Sequence, residues 1–186
     1  LLEFAPKDLD LYHPGDVSPE QGIELCHAAE QAALNADERI VNSDGASFSS
    51  PQGLRVYGNS HGLIAGFPRT RHSISTMVIG KDGEQMQRDS AYTVAREQAG
   101  LTDAAAVGLE AASETLAKLN SQKLGTMKVP VIFRADIANS LFGHLVSAIG
   151  GGALYRKSSF LLDSLGTQVF SHCVNIAERP HILKGL

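Results

Sequence analysis

Val129-Pro130-Val131-Ile132-Phe133 opens the stretch around which we expect this chain to be organised, and the stretch continues to Gly166. Its β-branched residues predict a short strand, with the proline near the start, where a missing N–H does least harm. Apolar residues then recur at steps of four, four and three, which predicts a core helix with one apolar face. These apolar residues are Ile137, Leu141, Leu145 and Ala148.

Three consecutive glycines, Gly150, Gly151 and Gly152, follow the predicted helix. Glycine allows a backbone to bend sharply or to pass close to another group. We interpret the three as a turn that brings the backbone close to a partner or a peptide, which makes them candidate peptide-binding residues. A helix C-cap followed by a flexible loop explains the same glycines, and that alternative stays open.

The stretch resembles the TldD/PmbA family of bacterial proteins, two-subunit metalloproteases formerly called modulators of DNA gyrase. It is most similar to the PmbA (TldE) branch of that family. The resemblance covers essentially the whole chain and is most specific over residues 42–80 and 129–166. A full family member is more than twice as long, so the resemblance implies that this chain is an internal fragment.

The metal motif of the family is absent from the matching helix of this chain. In the TldD branch that helix carries His-Glu-x-x-x-His, whereas the matching positions here are Phe142, Gly143 and Ser147. His144 lies nearby but alone. The resemblance therefore implies no catalytic residue, no metal ligand and no cofactor in this chain, and it places the zinc in a TldD-type partner subunit.

Composition excludes two kinds of partner. The net charge of -4 gives no basic footprint for nucleic acid. No stretch approaches the ~20 apolar residues that are needed to span a membrane.

The two cysteines, Cys26 and Cys173, are far apart in apolar surroundings, which is typical of reduced thiols in a cytoplasmic protein.

The order of the predicted elements indicates an α+β fold. A helix capped by Ser18, with Pro19 at its first position and Gln21 completing a capping box, extends to about Asn35. A turn at residues 42–47 leads into an antiparallel meander sheet, and a second helix follows at residues 101–120, capped by Thr102 or Asp103. Gly108 inside that helix is expected to allow close packing.

The meander and the later segments complete this prediction. We predict strands at residues 53–58, 63–67, 73–79, 84–93 and 167–176, with tight turns at residues 59–62 and 81–83. Residues 1–40 end an N-terminal helical or α+β segment, and residues 41–122 form a central domain of meander plus helix. Residues 123–186 start a C-terminal domain, in which a strand-helix unit begins.

Two groups of polar residues suggest sites. Arg69 and Arg71, with His72 beside them, form a candidate pocket for a peptide carboxylate, because arginine binds planar anions with a two-pronged fork. A solvated strand face explains them equally well. Cys26 and His27 could suggest a metal, but a small buried thiol beside a partly exposed imidazole is the alternative, since adjacent residues rarely share one metal.

Two functions remain open at this stage. The resemblance implies a non-metal subunit of a peptide-cleaving pair, acting on unfolded peptides such as peptide-antibiotic precursors and antitoxin-type proteins. The alternative is a non-enzymatic regulatory or binding protein that acts on a partner protein, because no catalytic set can be assembled from these residues. The two functions differ in whether addition of the TldD-type partner produces metal-dependent proteolysis.

Overall fold

A computed structural model describes residues 7–186, which contain two antiparallel sheets and four α-helices. The elements, in chain order, are α1 (Pro19–Leu34), β1 (Ile40–Ser49), β2 (Gln52–Gly58), β3 (Ile64–Thr70), β4 (His72–Asp82), β5 (Gln85–Ala95), α2 (Ala104–Lys118), α3 (Ala135–Ile149) and α4 (Gly151–Tyr155). The predicted α+β class, with antiparallel pairing and flanking helices, is confirmed, but the strands of the predicted single meander sheet are divided between two sheets.

The larger sheet has three strands in the order β1-β4-β5, and β2 and β3 form a separate hairpin. The central strand β4 alternates strictly, with every second residue buried from His72 to Gly80. Side chains of a strand point to opposite faces in turn, so one face of this sheet is covered and the other is partly open. Gly62 and Gly83, both at positive φ, close the two tight turns predicted from the sequence.

The main core lies between the covered face of this sheet and the helices α1 and α2. Its buried residues are small or β-branched, as close helix packing requires. One cluster contains Ala33, Ile40, Val78, Ala91, Val107, Ala111 and Ala112, and a second contains Ala29, Ile74 and Ala104. The predicted organising stretch, residues 129–166, contributes to neither cluster.

Both long helices of this core begin as predicted. Ser18 accepts a hydrogen bond from the Gln21 amide and the Gln21 side chain accepts one from the Ser18 amide, which forms the capping box. Asp103 caps α2 by accepting from the amide of Ala106. The close packing expected at Gly108 is also confirmed, since its Cα faces the backbone of α1.

The predicted turn at residues 42–47 is wrong, because these residues lie inside β1 and pair with β4. The register between the strands shifts between Ile40 and Asn42 and again between Ser43 and Gly45, and Gly45 has a φ of 103°. The turn-forming residues are therefore accommodated as local irregularities of the bulge type. Pairing along the whole strand outweighs the local turn preference.

The predicted strands at residues 129–133 and 167–176 are also wrong, since neither segment lies in a strand of the described chain. Of the predicted strand-helix unit, only the helix α3 forms. A β-branched run favours a pleated, half-buried surface, but a strand also needs a hydrogen-bonded neighbour. Ile132 in the first segment is 95% exposed.

The chain divides into two compact units. One consists of Leu1–Gln122 together with Arg179–Leu186, and the other of Lys123–Glu178. The chain thus returns to the first unit, where the Lys184 amide donates to the carbonyl of Leu9 at 2.8 Å. The Lys184 ammonium also donates to Glu97 at 2.7 Å. The domain boundaries expected at residues 40 and 122 stay a prediction about the full-length protein.

The second unit contains α3 and α4. The apolar residues of α3 form the predicted stripe, but Ile137 is 57% and Leu141 46% exposed, and Ala148 is the buried residue of this helix. Ser159 donates its hydroxyl hydrogen to the carbonyl of Ala148 at 2.7 Å, which holds the following segment against the end of α3. Within residues 7–186 no helix is both long and apolar enough to cross a membrane.

Candidate functional site

The hairpin of β2 and β3 places Arg69 on a face that also carries aromatic side chains. Arg55 pairs with Phe67, and Tyr57 pairs with Ala65. Cross-strand partners share a face, and alternate residues along one strand share it too. Arg55, Tyr57, Phe67 and Arg69 therefore project from the same side of the hairpin.

This side of the hairpin forms one wall of a groove with a volume of about 370 Å³. We call it the arginine groove, and it is lined by Leu11, Arg55, Tyr57, Phe67, Arg69 and Arg96. The segment before α1 is held against this hairpin, because the Thr70 amide donates to the carbonyl of Leu11 at 2.9 Å. Three arginines from three different segments thus meet at one groove.

Arg96 is the most firmly held of the three. Its Nε and Nη2 donate to the carbonyl of Gly185 at 2.8 and 2.6 Å, and its Nη1 donates to the carbonyl of Thr70 at 2.9 Å. Burial lowers the pKa of Arg96 from the usual guanidinium value, and the positive charges of Arg69 and Arg71 lower it further. The guanidinium still carries its charge at neutral pH, because its ordinary pKa is so high.

Arg71 lines a different cavity from Arg69. That cavity, of about 490 Å³, lies on the open face of the three-stranded sheet and is also lined by Asp44, Ser75 and Tyr92. The structure therefore does not bring Arg69 and Arg71 together in one pocket, although both are near enough to Arg96 to affect its pKa. Their role in peptide binding remains a prediction.

His72 is fully buried and faces neither cavity. Its Nε2 lies 2.9 Å from the carbonyl oxygen of His13, and its Nδ1 lies 2.8 Å from the hydroxyl of Ser50. A carbonyl can only accept, so we assign the hydrogen to Nε2 and the acceptor role to Nδ1. Both ring nitrogens are satisfied within the fold, which makes His72 a structural residue rather than part of an anion pocket.

The three glycines do not form a left-handed turn. Gly150 has a φ of −59° and separates α3 from α4, and Gly151 and Gly152 are the first residues of α4. The predicted helix exit is thus a break between two helices. A Cβ on Gly151 would meet nothing within 4 Å, whereas one on Gly152 would meet the flexible end of Arg156 at 3.4 Å. Peptide binding by these glycines stays a prediction.

The positions of α3 that match the family metal motif do not suit a metal ion. Phe142 and Gly143 offer no ligand atom, and Ser147 donates its hydroxyl hydrogen to the carbonyl of Gly143 at 2.9 Å. Among the described residues, no group of three or more His, Cys, Asp or Glu side chains could hold a metal. His144, on the same helix, belongs to no such group.

Cys26 lines an open cavity of about 670 Å³ between α1 and β1, together with His27 and Glu30. Burial raises the pKa of the Cys26 thiol; a hydrogen bond with the Phe48 backbone opposes this shift in part, and the negative charge of Glu30 adds to it. A raised pKa disfavours the thiolate, which is the reactive and metal-binding form. Cys26 and Cys173 are both free thiols.

Comparison with known proteins identifies the family. Residues 12–119 match the family model described as the PmbA/TldA metallopeptidase central domain, and residues 126–186 match that of its C-terminal domain. The chain belongs to the PmbA/TldA metallopeptidase family. The resemblance on which the sequence interpretation relied is therefore confirmed.

Relatives of this PmbA/TldA chain match it over its whole length. It is 53% identical over 186 residues to "Metalloprotease PmbA" of Escherichia coli O157:H7, covering 100% of this chain and 41% of that protein. It is 48% identical to "Metalloprotease PmbA homolog" of Haemophilus influenzae, with the same coverage. The chain thus spans about two fifths of the length of these relatives.

A solved structure shows the same fold. A protein from Bacteroides thetaiotaomicron, described as a candidate modulator of DNA gyrase, superposes with a TM-score of 0.89 at 26% sequence identity. The match covers 97% of this chain and 41% of that structure. Both units of this PmbA/TldA chain therefore have counterparts within a solved protein.

The sequence interpretation missed most of the arginine groove. It singled out Arg69 but not Arg55, Tyr57 or Arg96, which lie 14, 12 and 27 residues away along the chain. The hairpin register could have predicted that Arg55 and Phe67 share a face, because the turn at residues 59–62 had been recognised. Nothing in the local sequence indicated that Arg96 reaches the same groove.

Proposed function

We propose that this chain belongs to the non-metal subunit of a TldD/PmbA-type peptidase complex. The observation that carries the proposal is the similarity along the whole chain to proteins named metalloprotease PmbA. It is supported by α3, where Phe142 and Gly143 stand at positions that the resemblance assigns to metal ligands and a general base. The catalytic zinc then belongs to a TldD-type partner subunit, and the pair acts in the cytoplasm.

The substrate of this complex would be an unfolded peptide that binds as an added strand. Among the described strands, β2 pairs only with β3, and every residue of β2 is exposed. Such an edge offers backbone donors and acceptors to an extended chain whatever its side chains are. Peptide-antibiotic precursors and antitoxin-type proteins contain flexible segments of this kind.

Reconstitution tests the proposal. The full-length protein is purified alone, its TldD-type partner is purified alone, and cleavage of an unstructured peptide is followed for each and for the mixture. We expect metal-dependent cleavage only in the mixture, and we expect a zinc chelator to abolish it. If the partner cleaves the peptide equally well without this subunit, the proposal is contradicted, and the result favours the alternative that this chain is a regulatory or binding protein.

A further inference from the structure

The arginine groove is positively charged and is not neutralised within the described chain. Arg55 and Arg69 are exposed, and neither forms an ion pair with a described carboxylate. The hydrogen bonds of Arg96 go to neutral backbone carbonyls, so its charge is held in place but not cancelled. Like charges gathered at one groove repel one another, and an anion bound there would relieve this repulsion.

Burial is the main cause of the lowered pKa of Arg96, and the charge of Arg69 across the groove lowers it further, as does that of Arg71 outside the groove. A guanidinium has five N–H donors, and the three hydrogen bonds of Arg96 leave two of them unused. Its orientation is fixed by Gly185 and Thr70, so little side-chain entropy remains to be lost when an anion binds. Preorganised donors of this kind bind planar oxyanions well.

The remaining wall of the groove is apolar. It consists of Leu11, Phe67 and the ring of Tyr57, which is 53% exposed. A ligand that fits both walls carries a carboxylate and, next to it, an apolar side chain. The end of a peptide chain with an apolar last residue has this chemistry, whereas a free inorganic anion uses only the charged wall.

We propose that the arginine groove binds the terminal carboxylate of a peptide whose last residue is apolar, with Arg55 and Arg69 closing on the carboxylate beside the fixed Arg96. This inference rests on the proposed function for the peptide nature of the ligand and deepens it by specifying the substrate class. It also separates Arg69, as a carboxylate-binding residue, from Arg71, which lines the other cavity.

The test is a binding measurement on the full-length protein without its partner subunit. A fluorescein-labelled unstructured peptide ending in Leu-Phe is compared with the same peptide carrying a terminal amide, by fluorescence anisotropy at fixed ionic strength. We expect the free acid to bind about tenfold more tightly, because charge-assisted hydrogen bonds are lost with the amide. Equal binding of the two peptides would overturn the proposal.

Two variants with a matched control locate the binding. Arg69→Gln and Arg55→Gln each remove one exposed charge and should weaken binding of the free acid about tenfold while leaving the amide unaffected. Arg88→Gln removes the same charge on β5, where the side chain pairs with Asp44, and should leave both peptides within twofold. Parent-like binding of the acid by folded Arg69→Gln and Arg55→Gln proteins would overturn the proposal.

Inorganic phosphate distinguishes the two sources of oxyanion. We expect millimolar phosphate to displace the peptide only weakly, because it cannot use the apolar wall. If phosphate displaces it fully and an apolar last residue gives no advantage over glycine, the groove is a general oxyanion site and the peptide assignment is wrong. Since no cleavage is measured, a failure here is distinct from a failure of the reconstituted peptidase.

Discussion

Gly108 of α2 lies directly against the carbonyl group of Ala29 in α1. A Cβ on residue 108 would come within 2.9 Å of the Ala29 carbonyl carbon and 3.1 Å of the Ala33 amide nitrogen. The obstacles are backbone atoms, which cannot rotate away as a side chain can. The distance between the two helices, and with it the packing of the small residues in the core, therefore depends on the missing side chain.

We expect Gly108→Ala to destabilise the protein by about 1–3 kcal/mol through overpacking. This result runs against helix propensity, which favours alanine by about 1 kcal/mol. Chemical denaturation measures the change, and Ser113→Ala on the exposed side of the same helix is the control, expected within about 0.5 kcal/mol of the parent. An unchanged or stabilised Gly108→Ala protein would show that the helices can separate at little cost.

Asp37 predicts a dependence of stability on pH. Its carboxylate accepts from the Arg39 Nε and Nη2, both at 2.8 Å, and from the Arg39 amide at 2.9 Å. These hydrogen bonds hold the pKa of Asp37 well below its ordinary value. The folded state therefore binds fewer protons, so this contribution is complete above the unfolded pKa of about 3.9 and is lost as the pH falls below it.

The measurement compares the parent with Asp37→Asn in denaturant at several pH values. We expect the parent to be the more stable at pH 6–7, and we expect the difference to shrink below about pH 4, because a protonated carboxyl resembles the amide. Glu84→Gln, at an exposed position in the β4–β5 turn, controls for the change in net charge. A difference that persists unchanged at about pH 2 would show that the effect is not ionic.

His72 should be among the residues most important for stability. His72→Ala removes a fully buried ring and leaves the His13 carbonyl without this donor. We expect a loss of about 2–4 kcal/mol from the cavity and the unsatisfied groups. Ser50→Ala removes one hydrogen bond to the same ring and should cost about 1 kcal/mol. The reverse order of the two variants in urea denaturation would contradict the hydrogen bonding described above.

Gly151 gives a test of the predicted peptide-binding role of the three glycines. Gly151→Val meets nothing within 4 Å in the described chain, and a β-branched residue in the first turn of a helix costs less than about 1 kcal/mol. We expect the subunit to fold but to lose peptide cleavage, or pairing, in the reconstituted complex. Gly125→Val, at another open position, is the control. If the complex that contains the folded Gly151→Val subunit cleaves peptides as well as the parent does, the three glycines have no role in peptide binding and only separate the two helices.

Zinc content tests the proposal that this chain carries no metal site of its own. We expect the purified 186-residue chain to contain no stoichiometric zinc, because Phe142 and Ser147 stand on α3 where the resemblance places the two histidine ligands. Metal analysis after dialysis decides this, with a zinc-binding protein as a positive control. A tightly bound ion that is lost in His144→Ala would show that a site exists around that histidine.

Local signals in the sequence predicted the elements whose determinants are local. The capping box of Ser18 and Gln21, the cap at Asp103 and the glycine turns are set by residues that are neighbours along the chain. The strand predicted at residues 73–79 likewise corresponds to β4, in which alternate residues are buried. The sequence therefore predicted these features at the correct positions, although the ends of the elements differ by a few residues.

The errors arose where pairing between distant segments decides the structure. Residues 42–47 have turn chemistry but become part of β1 because β4 offers a partner along their whole length. Residues 129–133 have strand chemistry but no partner strand among the described residues. The arginine groove follows the same rule, since Arg96 reaches it only through its hydrogen bonds to Gly185 and Thr70.

The return of the chain to its first unit has a consequence for the order of events during protein synthesis. Lys184 and Gly185 supply partners for Leu9, Glu97 and Arg96, but the ribosome makes them after the whole of residues 123–178. At about 5–20 residues per second, this delay lasts roughly 3–13 s. During that interval the contacts from Gly185 that fix Arg96 are missing, so the groove takes its final form only after residue 185 has emerged from the ribosome.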